Sequence, residues 1–211
     1  MLYNFDSVNT NPVSGLMQDT NGKFYGTTYS GPANKNCTSS GGCGTVYSLS
    51  TGLGPFLKTE PFHGQVGSTI IIIGTNLTGA TAVSFTGTAA AFKVVSSSEI
   101  TATVPSAAKT GIVSVTTPSG TLQTALGFKV TPIITAFTPA SGPVGTAVTI
   151  TGTGLTGATA VTFGGVKATT FSVKSATEVT ADVPTGAKTG AIAVTTPGGT
   201  AATAKTFTVT E

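Results

Sequence analysis

Thr75-Asn76-Leu77-Thr78-Gly79-Ala80-Thr81-Ala82-Val83 returns as Thr153-Gly154-Leu155-Thr156-Gly157-Ala158-Thr159-Ala160-Val161, about 78 residues further on. The match extends in both directions. Gly64-Gln65-Val66-Gly67 returns as Gly142-Pro143-Val144-Gly145. Lys109-Thr110-Gly111 returns as Lys188-Thr189-Gly190, one step later because the second copy carries one extra residue. A fixed internal period means one structural unit used twice. The repeat divides the 211 residues into a head at 1–52, a first module at 53–131 and a second at 132–211.

Within each module the pattern is that of strands. Ala147-Val148-Thr149-Ile150-Thr151 is apolar on one side and hydroxylated on the other, the period of a half-buried strand. Pro61, Pro105 and Pro118, with their counterparts Pro139, Pro184 and Pro197, fall where strands should end, because a proline there forfeits no ladder hydrogen bond. Turn signals recur about every 8–12 residues, as a two-sheet sandwich requires. No helical period of useful length appears. The expected fold class is all-β, two tandem β-sandwiches with a small N-terminal β-hairpin or blade-like segment.

The head reads as four short strands, Leu2–Phe5, Ser14–Gln18, Lys23–Thr27 and Thr45–Leu49, with Asn21-Gly22 as a hairpin turn. That is the size of one propeller blade. Its words, such as Asp19-x-x-Gly22-x-Phe24-Tyr25-Gly26-Thr27-Thr28, resemble a repeat found in tandem in large bacterial secreted proteins. The modules resemble a better defined family. Phe137-Thr138-Pro139-x-Ser141-Gly142-Pro143-x-Gly145-Thr146, Val161-x-Phe163-Gly164-Gly165 and Gly190-x-Ile192-x-Val194-x-Thr196-Pro197-Gly198-Gly199 look like an IPT/TIG domain. The resemblance implies an immunoglobulin-like fold. The first copy departs from it: Phe62-His63-Gly64 replaces Ala140-Ser141-Gly142, Asn76 replaces Gly154, and Ser119 replaces Gly198. These words are glycines, prolines and core apolars, so they specify fold and not activity.

Composition narrows the function. Only 8% of residues are charged, and all ten basic residues are Lys. The net charge of +3 is thinly spread, so there is no basic stripe for phosphates and no nucleic-acid partner is expected. No stretch approaches the ~20 apolar residues that cross a bilayer as a helix, so no direct membrane insertion is expected. Met1 leads straight into strand-like Leu2-Tyr3-Asn4-Phe5, which suggests a piece of a longer protein whose export signal lies elsewhere. An extracellular or cell-surface location fits the hydroxyl-rich surface.

Candidate sites are few. Cys37 and Cys43 are separated by Thr38-Ser39-Ser40-Gly41-Gly42, a spacing that reads as a disulfide closing a small loop; two free thiols are the alternative. Seven acids are scattered, with Glu99 and Glu178 at the same repeat position. They do not form the carboxylate pair of a glycosidase. His63 has no suitably spaced Ser or Cys partner. Asp19-x-Asn21 begins like a calcium loop but lacks the remaining ligands. No metal, no cofactor and no catalysis are expected. Asn36-Cys37-Thr38 and Asn76-Leu77-Thr78 are glycosylation sequons. Sugar binding favours exposed aromatics, and Tyr25 and Tyr29 in the head are the ligand candidates.

Comparing the copies marks an interface. Ile70 and Ile72 align with Val148 and Ile150, facing inward, while Ile71 and Ile73 align with Thr149 and Thr151, facing outward. Leu126 aligns with Lys205. Outward apolar residues in one copy only point to contact, so Ile71, Ile73 and Leu126 are the candidate interface. Expected partners are other domains of the same large protein, a second copy through self-association, or a polysaccharide. Three functional readings follow: a non-catalytic extracellular spacer or stalk, a glycan-binding accessory module, and a self-assembling fibre subunit. The sequence Val130-Thr131-Pro132-Ile133 leads from one module into the next with almost no linker, so a stiff, elongated pair is expected.

Overall fold

The computed structural model describes residues 13–18, 23–29, 43–50 and 54–211. The chain divides into two compact units. One comprises residues 1–56 with 74–76, the other 57–73 with 77–211.

The described part of the head is a three-stranded antiparallel sheet of Met17–Gln18, Lys23–Thr27 and Val46–Ser50, in chain order. These strands answer three of the four expected; the fourth, Leu2–Phe5, and the turn Asn21-Gly22 lie outside the described residues. The strand expected from Ser14 begins only at Met17. Ser14 instead accepts the Thr27 N–H on its hydroxyl at 2.8 Å, so the chain before Met17 is tied by a side chain. Tyr47 lies opposite Gly26, whose missing Cβ leaves room for the phenol ring.

Each module is a sandwich of two sheets, as the alternation required, paired antiparallel except where Ser141–Gly142 joins Gly199–Val209 in parallel. In the first, one sheet runs Leu57–Glu60, Thr69–Gly74, Glu99–Thr103, Phe92–Ser96. The other runs Gly120–Gln123, Val113–Thr117, Ala82–Phe85, Thr88–Ala89. A short parallel pair, Lys129–Val130 with His63–Gly64, closes one end. The second module repeats this plan. Its first sheet is Ile133–Thr138, Ala147–Thr153, Glu178–Asp182, Phe171–Ser175. Its second is Ser141–Gly142, Gly199–Val209, Gly190–Thr196, Ala160–Phe163, Val166–Lys167. Among the described residues there is no helix.

Alternation places the cores. Ile70 and Ile72 are buried while Ile71 between them is 39% exposed, and Val148 and Ile150 are buried in the same places. Equivalent aromatics meet edge to face at the centre of each sandwich. Phe85 and Phe128 have centroids 5.2 Å apart, and Phe163 and Phe207 5.3 Å apart. Such offset geometry suits the ring quadrupole, and each fully buried side chain of this class contributes about 1.5–3 kcal/mol. Two cores of similar composition thus stabilise the modules separately.

Only Thr131 and Pro132 separate the last strand of the first module from the first strand of the second. The second module's turns press against this link. A Cβ on Gly198 would overlap the Val130 carbonyl, and one on Gly154 would lie 3.2 Å from the Thr131 carbonyl oxygen. Gly198 is therefore required by the close approach of backbone, and Gly154 is crowded by it. At the matching places the first module carries Ser119 and Asn76.

Candidate functional site

The feature both modules share outside their cores is a groove where their two sheets part. Its wall is shaped by one threonine. In the first module Thr124 is buried, and its Oγ1 accepts the Val113 N–H at 3.2 Å. In the second, Thr203 Oγ1 accepts the Ile192 N–H at 3.0 Å and donates to the Lys205 carbonyl at 2.6 Å. A hydroxyl thus takes a ladder position, and the strand beside it slips register between Ala191 and Ala193. In the first module the strand breaks altogether, between Gln123 and Lys129. Leu126, which aligns with Lys205 inside a strand of the second module, stands in this break.

The break turns Leu126 outward, and it is 79% exposed. Leu57, Lys58, Thr59, Glu60, Phe62, Thr124 and Ala125 complete the groove with it. Phe62 is 55% exposed and packs edge-on against His63, with centroids 5.1 Å apart. The second module's groove is lined by Ile134, Phe137, Ala140, Thr203 and Lys205 among others. The two grooves occupy the same place in the repeat and differ in chemistry. Leu126 and Phe62 make the first apolar where Lys205 and Ala140 stand in the second. Phe62 is the contributor that the sequence reading missed as a site residue. Its signal was the Phe62-for-Ala140 exchange, legible as a departure from the repeat but not as an exposed ring.

The other candidates do not join this groove. Ile71 and Ile73 face outward from their sheet, opposite Thr101 and Glu99, with Ile71 exposed and Ile73 half-buried. Glu99 and Glu178 take equivalent registers, opposite Ile73 and Thr151. In the head, Tyr29 is 72% exposed and Tyr25 half-buried. Cys43 is described and exposed, whereas Cys37, Asp19 and Asn36 lie outside the described residues. Asn76, in the described sequon, adopts φ 52° in place of the glycine of the other copy. Among the described residues no three His, Cys, Asp or Glu side chains gather as metal ligands would.

The family model described as IPT/TIG domain matches residues 57–130 and 132–209. No curated protein matches the chain. Among solved structures, the chain is similar to SGBP-B from a complex xyloglucan utilization locus in Bacteroides uniformis, at 20% identity and a TM-score of 0.36, covering 74% of this chain and 50% of that one. It is also similar to the surface glycan-binding protein PbSGBP-B from Prevotella bryantii, at 19% identity and a TM-score of 0.47, covering 69% and 38%. A third is the Bacteroides ovatus mixed-linkage glucan utilization locus SGBP-B in complex with a mixed-linkage heptasaccharide, at 17% identity and a TM-score of 0.34, covering 90% and 54%. The chain spans about half the length of these proteins or less.

Proposed function

The chain belongs to the IPT/TIG domain family, and from that premise we propose that it is a non-catalytic extracellular structural segment, a spacer or stalk within a bacterial surface or secreted protein. The observation that carries this reading is the seat of the inter-module link. A connector of two residues, with Gly154 and Gly198 relieved of side chains where its backbone passes, couples one sandwich to the next. A spacer needs that coupling, whereas a set of independent binding modules does not. The test is rotational diffusion of the intact chain by NMR relaxation. Coupled tumbling of residues in 57–130 and 132–209 is expected. Two independent correlation times would overturn the reading.

A second reading, a glycan-binding accessory module, is favoured by one observation: Tyr29 offers an exposed ring. An exposed aromatic face suits stacking on a sugar ring. Affinity electrophoresis in gels containing xyloglucan or mixed-linkage glucan separates the readings. Retardation abolished by Tyr29→Ala supports glycan binding, and mobility equal to that in a plain gel leaves the spacer.

A further inference from the structure

We propose that the apolar groove of the first module is the contact through which two copies of this chain pair, edge strand to edge strand. Leu57–Glu60 is the terminal strand of its sheet, so among the described residues one side of its backbone faces no neighbouring strand. Such an edge is a template for another strand. The residues on it are self-complementary. Lys58 and Glu60 are exposed, and Leu57 and Thr59 are turned inward. An antiparallel pairing centred on Thr59 sets Lys58 of each copy opposite Glu60 of the other, on the same face. Opposite charges directly across a strand pair are favourable, and like charges are not. The same two-fold pairing brings the open sides of the two sandwiches together, with Leu126 and Phe62 from both copies around the seam. Those two side chains are among the most exposed apolar groups of the first module.

The second module supplies the contrast. Its edge strand, Ile133–Thr138, carries no charge, and Lys205 stands where Leu126 does. It lacks both the charge code and the apolar wall. The occupant is therefore a second copy meeting through the first module only, which closes as a pair and does not grow into a chain. The strand has four residues and Pro61 follows it, so the contact is small and the association weak.

Sedimentation velocity of the full chain across a concentration series up to about millimolar tests this, that being the range in which small interfaces associate. The wild type should move from the 20.7 kDa monomer toward a dimer and no further. Lys58→Glu and Glu60→Lys should each remain monomeric, the double variant should associate again, and the two single variants mixed should pair with each other. Leu126→Lys, which installs what the second module already tolerates, should weaken association about tenfold, the usual effect of losing an anchor side chain. A wild type monomeric throughout, growth beyond a dimer, single charge variants that associate like the wild type, or a double variant that stays monomeric would each overturn the proposal.

Discussion

Thr153 and Thr75 stand at the same position of the repeat and lead opposite chemical lives. Thr75 Oγ1 accepts the Phe56 N–H at 3.2 Å, whereas Thr153 Oγ1 is buried with no hydrogen-bond partner. A buried hydroxyl that bonds nothing has lost its water for no return, while a bonded one satisfies a backbone donor. Thr→Val keeps the shape and removes the hydroxyl, so the sign of its effect should differ between the copies. Thr153→Val should stabilise the chain by about 1 kcal/mol and Thr75→Val should destabilise it by a similar amount. Urea denaturation of both variants decides this; equal shifts would mean that the hydroxyls are equivalent. Thr86 makes a related case. It sits at φ 48° in a turn with Gly87 at φ 85°, where the other copy has Gly164 and Gly165. A β-branched residue is strained there, and Asn is not. Thr86→Asn should therefore raise the unfolding free energy by about 0.5–1 kcal/mol, and a loss of stability would show that the Thr86 hydroxyl contacts to the Lys109 and Ile112 carbonyls outweigh the strain.

At the scale of elements, the register of each sandwich turns on the threonine plug. Removing the Thr124 hydroxyl leaves the buried Val113 N–H without an acceptor, so Thr124→Val should cost about 1–3 kcal/mol. Amide exchange at Val113 should quicken. Exchange unchanged from the wild type would mean that another acceptor has taken over. The same element shows what sequence can and cannot reveal. That Ile70 and Ile72 face in while Ile71 faces out follows from a period of two, because the pleat itself imposes it. That Thr124 interrupts a strand does not follow, since threonine is as good a strand former as its neighbours and only the depth of its hydroxyl decides. Leu126 was thus legible as an oddity of the repeat, while the groove it builds with Phe62 and Leu57 needed the fold. In the head, the Cys37–Cys43 pairing remains a proposal with a direct check. Closing so short a loop would contribute about 2–3 kcal/mol in the chain-entropy account. Intact-mass analysis after alkylation without reduction should find no modified thiol; two alkylated cysteines would refute the pairing.

At the scale of the whole molecule, two differences between the repeated modules fall where one meets the other. Gly154 and Gly198 were visible in the sequence as departures from Asn76 and Ser119, but their cause lies in the backbone of Val130 and Thr131, which comes close only once both modules have folded. Gly198 is the more demanding of the two, because its Cβ would overlap the Val130 carbonyl, whereas one on Gly154 would stand 3.2 Å from the Thr131 carbonyl oxygen. Gly198→Val should leave the buried residues of the second core, Phe163 and Phe207 among them, untouched, since the turn lies outside that cluster. It should instead push the link off its seat, so that the modules tumble with separate correlation times while each keeps its own amide protection. Ser119→Val, at the matching turn of the first module, serves as the control; it should leave the coupled tumbling of 57–130 and 132–209 unchanged. If Gly198→Val keeps the modules tumbling as one, the coupling is not carried by this contact. The stiffness would then have to come from Pro132, which is buried and holds Thr131 extended, and Pro132→Gly would be the variant that loosens it.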